Sequence, residues 1–234
     1  MRIPTLPTAA RTLAFLLATN VSVYAGPLPD PLPCTSCFIG TLALSDNPAD
    51  PTGQTKILSD DLYFVDPAHF VWKSGKGDIT DGASIPPLFQ PIIGGPWESS
   101  YLPAAVMHDH YTNIAHKVRP WRDTDLMFYQ AMLVNHTDVI KAKLMYYAVY
   151  AFGPHWDRIA KGVPCGENCV FEVKTNFLYQ SSDYELAHVD ELKEVQSKIA
   201  EAELRGEPMT LSQLDELATT KHSLNVFLTT DTSR

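Results

Sequence analysis

A histidine and an aspartate stand side by side in "AAVMHDHYTNIAH" (residues 104–116), and a further aspartate, Asp125, follows in "PWRDTDLMFYQAML" (120–133). An imidazole oriented by a carboxylate is a general base near neutral pH, and an adjacent carboxylate is a hard oxygen donor for a cation. Together, His108, Asp109 and Asp125 have the residue types for metal-assisted hydrolysis, in which a water is deprotonated and a bound ion stabilises the oxyanion. The surrounding run is apolar. Small apolar residues would fill these positions at no cost, whereas each polar group buried without a partner costs on the order of a few kcal/mol.

Two helices must position this set. The first is predicted from Pro103 to about His116, with Ala104, His108, Tyr111 and Ala115 on one face. His108 then points inward, and Asp109 lies about 100° around the helix, at the edge of that face, free to ligate a cation. His110 and His116 fall on other faces and read as surface residues. The second helix is predicted from Pro120 or Trp121 to about Asn135, with Asp123 and Asp125 at its positive end and Asp125, Phe128 and Met132 on its apolar face. Only Lys117, Val118 and Arg119 separate the two, so they should pack as an antiparallel hairpin and bring Asp125 opposite His108. The competing reading is structural: a satisfied core histidine that only stabilises the hairpin.

A third helix is expected over residues 137–152, with Leu144, Ala148 and Ala151 or Phe152 as its core stripe, stopped by Gly153-Pro154. Upstream, "FIGTLAL" (38–44), "DLYFVD" (61–66) and "HFVWKSG" (69–75) read as strands, the last two as a hairpin or successive strands of a small sheet. Residues 76–97 hold too many glycines and prolines for helix and read as a long ordered loop, or a strand followed by loop, and loops of that length are usually functional. Within it, "TDGASIP" (80–86) has two readings. Asp81-Gly82 is a turn signal that Ser84 could cap, or Asp81 supplies a second carboxylate oxygen near Asp109. Arg122 is read as a structural ion-pair partner, with capture of an anionic substrate group as the alternative. From Asp183 the chain becomes charged, and two more helices are expected, one ended by Gly206. Their charge run is most simply a solvated face.

Composition and termini bound the rest. Arg2 and Arg11 precede an apolar stretch, residues 13–25, that is short for a membrane span and ends in Val23-Tyr24-Ala25 before Gly26. That is a signal-peptide pattern, and it implies export to the periplasm or beyond, with cleavage near Ala25-Gly26. The formal net charge of -9 excludes nonspecific nucleic-acid binding but leaves a lipid surface open, through a bridging cation. Four cysteines come as Cys34/Cys37 and Cys165/Cys169. An exported chain favours disulfides over a four-thiolate zinc site, and the pairing is open. A bridge from the first pair to the second would close a loop of about 130 residues, contributing roughly 4–5 kcal/mol in the chain-entropy picture.

Two resemblances follow from these residues. "HDHY" with "RDTDLMFYQAM" is similar to the paired catalytic helices of secreted phospholipase A2 enzymes, especially the short bacterial and fungal type. Their first helix carries H-D-x-x-Y, and their second an aspartate three residues before phenylalanine. The resemblance implies His108 as base, Asp109 as calcium ligand, Asp125 as orienter and Tyr111 as support. It covers about thirty residues, lacks an inter-helix disulfide, and keeps of the glycine-rich calcium loop only the two glycines of "IIGGPW" (92–97). A longer resemblance is to the bacterial and phage family known as domain of unknown function 1353. Its landmarks occur here in order: Thr80 to Pro86, Ala104 to Asp109, Arg122 to Phe128, and Phe152-Gly153.

The expected architecture is α+β: a small N-terminal β-sheet, then a three-helix core containing an antiparallel hairpin, then a C-terminal helical extension. Residues 1–25 are the leader, 26–180 one globular domain with its family-like core over about 60–156, and 181–234 the extension, which could cover the site, self-associate or bind a partner. The leading functional expectation is an exported, calcium-assisted hydrolase of a lipid ester. The alternatives are hydrolysis of another cell-envelope bond, such as a peptidoglycan amide, and a non-catalytic envelope or phage-related protein.

Overall fold

The structure, a computed structural model, describes residues 34–113, 116–156, 164–166, 169–170 and 179–230, the short stretches 164–166 and 169–170 by backbone alone. The leader reading lies outside the described residues. The fold is α+β. Six short strands come first: β1 (Cys37–Ile39), β2 (Leu44–Asp46), β3 (Lys56–Leu58), β4 (Leu62–Val65), β5 (Val71–Ser74) and β6 (Ile79–Thr80). They form two antiparallel three-stranded sheets, ordered β1-β4-β5 and β2-β3-β6. The predicted strand over 38–44 is split in two. Gly40 takes φ +95 between β1 and β2, with its Cα side against the Asp61 carbonyl, and there the chain leaves one sheet for the other.

The β4–β5 hairpin is as expected, pairing Phe64 with Trp72 and Val65 with Val71. Asp66 builds its turn: Oδ1 accepts from the Ala68 and Phe70 amides, and Oδ2 from the Trp72 indole. Period-two alternation sorts the strand. Leu62 and Phe64 enter the main core, while Tyr63 and Val65 pack on the opposite face with Ile39 and Val71. His69 sits in the turn at φ +64 rather than in a strand.

Helices follow: a single turn α1 (Gln90–Ile93) inside the long loop, then α2 (Leu102–Thr112), α3 (Trp121–Val134) and α4 (Val139–Phe152). α2 is shorter than expected. It stops at Thr112, where the Lys117 ammonium caps the last carbonyl, and His116 lies in the connection to α3. α2 buries Ala104, Ala105, Val106, Met107, His108, His110 and Tyr111, and so has no broad solvent face. His110, read from the sequence as a surface residue, is 3% exposed, and His116 is partly buried.

After α4 come β7 (His155–Trp156), the small ladder of β8 (Pro164–Gly166) with β9 (Cys169–Val170), and β10 (Tyr179–Gln180), which pairs with β7. The extension is helical: α5 (His188–Leu204), α6 (Leu211–Lys221) and the single turn α7 (Val226–Thr229). α5 turns Leu192, Val195, Ile199 and Ala202 onto α4 and leaves its charged residues to solvent. Among the described residues no helix is long and apolar enough to cross a membrane.

Cys34 and Cys37 are joined to each other, with Cα atoms 6.1 Å apart. This pair is therefore a local clip at the start of β1 and not part of a staple to the second pair. It is also not available as a pair of zinc thiolates. The side chains of Cys165 and Cys169 lie outside the described residues.

The β7 histidine carries an acid liability. His155 Nε2 donates to the Tyr150 carbonyl at 2.9 Å, the ring packs against Trp121, and burial pushes its pKa down to about 4. An unfolded chain takes up this proton below about pH 6.5, while the folded protein resists until about pH 4. The unfolded state binds more protons across that window, so stability falls as pH is lowered through it. Urea melts at pH 7 and pH 4.5 should show the wild type losing about 2 kcal/mol more than His155→Gln over the same interval. Equal losses in both proteins would refute the assignment.

Candidate functional site

Antiparallel packing of α2 on α3 brings the hairpin residues together as the spacing requires. His108 Nε2 donates to Asp125 Oδ1 at 2.9 Å, and both side chains are buried, His108 at 7% and Asp125 at 2% exposure. Burial raises the Asp125 carboxyl, and the hydrogen bond and charge of His108 act against it. With Nε2–H committed to Asp125, the lone pair belongs on Nδ1, which makes no hydrogen bond among the described residues. Phe128, one turn beyond Asp125, lies against the imidazole with ring centroids 4.7 Å apart. Asp125 Oδ2 is buried without a hydrogen-bond partner among the described residues. Lys117 adds charge nearby. Burial lowers its ammonium to about 7, and Asp125 pulls in the opposite direction.

Asp109 leaves α2 toward the loop after β6, where the turn at Asp81-Gly82, with Ser84 bonded to Asp81, lies close to its carboxylate. Thr80 Oγ1 donates to Asp109 Oδ2 at 2.5 Å and accepts the Gly82 amide at 3.0 Å. Ser84 Oγ donates to Asp81 Oδ1 at 2.5 Å and stands 3.4 Å from Asp109 Oδ1. Two carboxylates therefore flank one serine hydroxyl. Enclosure of the carboxylate by the loop pushes the Asp109 pKa well up, and the charge of Asp81 raises it further. Backbone geometry holds the loop in this form. Gly82 takes φ +83, where a Cβ would run into the Pro96 carbonyl that accepts the Ala83 amide at 2.8 Å. Ser84 itself sits at φ +47, a conformation non-glycine residues rarely adopt.

An apolar cavity opens beside these groups. Ser84, Ile85, Phe89, Phe128, Met145 and Tyr184 line it, so one wall touches the His108 ring and another carries the serine between the carboxylates. Tyr184 comes from the segment before α5. Burial raises its hydroxyl to about 12, with the carboxylates of Asp125, Asp109 and Asp81 adding to the effect. Sequence reasoning missed Tyr184, and no local signal marks it.

Two expected site residues face elsewhere. Tyr111 Oη accepts the Lys73 amide at 2.8 Å and sets its ring edge-to-face on Trp72, which ties α2 to β5. Arg122 donates to the Phe227 carbonyl at 3.0 Å and the Leu228 carbonyl at 3.4 Å, and lies over Trp121. These bonds tie the start of α3 to the carbonyls of α7. In "IIGGPW", Gly95 gives its carbonyl to the Tyr101 hydroxyl. Opposite the dyad, the structure gathers a second set that sequence reasoning did not find, Asp78, His110 and His116.

The model of the family described as protein of unknown function (DUF1353) matches residues 57–149. An uncharacterized protein, y4iH of Sinorhizobium fredii (strain NBRC 101917 / NGR234), is 40% identical over 192 residues, which cover 80% of this chain and 79% of that protein. The chain belongs to this family of unknown function. A second uncharacterized protein of the same strain, y4jT, is 46% identical over 99 residues, covering 42% of this chain and 29% of its own length. No solved structure matches significantly. The family span holds Thr80, Asp81, Ser84, His108, Asp109, Asp125 and Phe128, while Tyr184 and α5 to α7 lie beyond it.

The loop can be tested apart from any activity. Gly82→Ala places a methyl group against the Pro96 carbonyl at a positive φ, so it should destabilise the protein by about 2 kcal/mol or more in denaturant melts. A variant as stable as the wild type would mean that the loop is not held as described.

Proposed function

We propose that this protein is an exported hydrolase of a lipid ester, working through a His108–Asp125 dyad with a cation held at Asp109 and Asp81. The observation that carries the reading is the dyad's placement: a tautomer-fixed histidine that lies against Phe128, a wall residue of an apolar cavity. The apolar lining is in keeping with a lipid substrate, but the cavity holds only about 30 Å³, so an acyl chain enters it only if the walls move apart. The remaining imidazole nitrogen, Nδ1, takes the proton of an attacking water, and Asp125 stabilises the imidazolium that forms. Phe128 packs against the ring and limits its rotation. Ser84 and the cavity walls position the ester.

The donor set around Asp109 fits calcium. All candidate ligands are hard oxygens: the Asp109 and Asp81 carboxylates with the Ser84 and Thr80 hydroxyls. Burial pushes the Asp109 carboxyl up and the charge of Asp81 raises it further, and a cation bound between them would favour the ionised form of both. When bound, calcium would supply electrostatic stabilisation of the developing oxyanion. Export is supported by the leader-like residues 13–25 and by the Cys34–Cys37 disulfide, which suits an oxidising compartment. A lipid bilayer surface is then the partner, which an acidic chain approaches through the cation.

Fatty-acid release from phospholipid vesicles by the mature protein tests the reading. Release should require calcium, stop with chelator, and fall by about 100-fold or more in His108→Gln. Asp125→Asn should also lose most activity, because an amide no longer holds the imidazolium. No release by folded wild-type protein would remove the lipid-ester reading.

A further inference from the structure

The face of α2 turned away from the dyad carries a second cluster. His110 is two residues beyond His108, so its side chain projects about 200° around the helix. There it meets the turn between β5 and β6. Asp78 Oδ2 lies 2.6 Å from His110 Nδ1 and also accepts the Gly75 amide at 2.7 Å, which fixes the carboxylate in the turn. His116, from the connection between α2 and α3, lays its ring flat on His110, with centroids 4.1 Å apart and planes 5° from parallel. One donor atom from each of Asp78, His110 and His116 falls within 4.8 Å of the other two.

We propose that Asp78, His110 and His116 form a binding site for a late first-row divalent cation, zinc in the simplest case. Two imidazole nitrogens and one carboxylate oxygen are the donor chemistry such ions prefer, in contrast to the all-oxygen set around Asp109. Zinc binds these donors at about 2.0–2.2 Å, so a tetrahedral site holds them about 3.3 Å apart. A spread of up to 4.8 Å must close by about 1.5 Å, and since the two rings lie parallel His116 must also turn its donor nitrogen toward the ion, a change that falls on the connection rather than on a helix. Asp78 suits the role because its carboxylate already faces His110 Nδ1, where the ion would take the place of the shared proton, and the Gly75 amide holds it there. Three protein donors leave one position of the ion for water. The ion would clamp the end of α2 and the start of the connection onto the β5–β6 turn, and so fix the helix that carries His108.

This inference stands independently of the hydrolase reading, since its readout is metal binding. Full mature protein, stripped with chelator and held in saturating calcium to occupy hard-oxygen sites, is titrated with zinc, and in parallel with cobalt(II) followed by visible absorption. One equivalent should bind, with cobalt bands of a four-coordinate nitrogen–oxygen site, and zinc should raise the melting temperature. His116→Gln and Asp78→Asn should each weaken binding by about tenfold or more and abolish the zinc-dependent rise. His136→Gln, at an exposed histidine elsewhere, should change neither. His116→Gln is expected to melt like the wild type without metal, which separates lost ligation from lost folding. Absence of saturable binding, or binding that survives His116→Gln, would overturn the site and leave a histidine stack hydrogen-bonded to Asp78.

Discussion

Helix α2 has almost no solvent face, and that constraint organises the rest of the molecule. Buried polar groups must be partnered, so each polar residue on this helix has to find its partner in a neighbouring element. Four consecutive residues, each turned about 100° from the last, do so in four directions. His108 bonds Asp125 on α3, Asp109 bonds Thr80 at the end of β6, His110 bonds Asp78 in the β5–β6 turn, and Tyr111 bonds the Lys73 amide in β5. The same bonds that satisfy the helix also fix its rotation and its depth. Any chemistry at His108 is thereby held by the sheet on one side and the hairpin on the other.

α4 meets the matching problem with apolar surface. It buries residues on nearly every side, from Ala142 to Phe152, so covering it takes more than α3. α5 and α6 supply the remaining cover, although they lie beyond the family span. Polar tips on α4 reach through the apolar contact to charged partners: Lys143 to Glu203 at 2.5 Å, Tyr146 to Asp215 at 2.7 Å, and Tyr147 to Glu191. The acidic character of the extension is therefore not only a solvated face. Part of it is spent on α4, and its leading segment places Tyr184 in the cavity wall.

What could be read in advance divides along physical lines. The His108–Asp125 pairing was legible because helical spacing puts both on inward faces of consecutive helices, and it survives a connection, residues 113–120, longer than the three residues expected. The approach of Asp81 to Asp109 was legible as one of two readings. The burial of His110 was not, because a periodicity argument grants a helix one solvent face, and α2 lacks it. The roles of Tyr111 and Arg122 depend on partners distant in sequence, Lys73 and the α7 carbonyls, which no local pattern encodes. The break at Gly40 shows the same limit: an apolar run looks continuous until the close approach of Asp61 makes a left-handed turn necessary.

The arrangement at Asp109 bears on whether these polar groups exist for stability alone. Ser84 has one proton, and at 2.5 Å from Asp81 against 3.4 Å from Asp109 it serves Asp81; Thr80 serves Asp109. Each carboxylate thus has its own hydroxyl, and their mutual repulsion is left standing beside a cavity. A fold seeking only stability would place asparagine at one of these positions, keep the hydrogen bonds and lose the repulsion. Retaining both acids, at the end of a loop that also sustains a left-handed serine and a glycine pressed on a carbonyl, stores several unfavourable terms in one place. A cation would relieve the repulsion between the two acids, and the dyad lies one residue along the same helix.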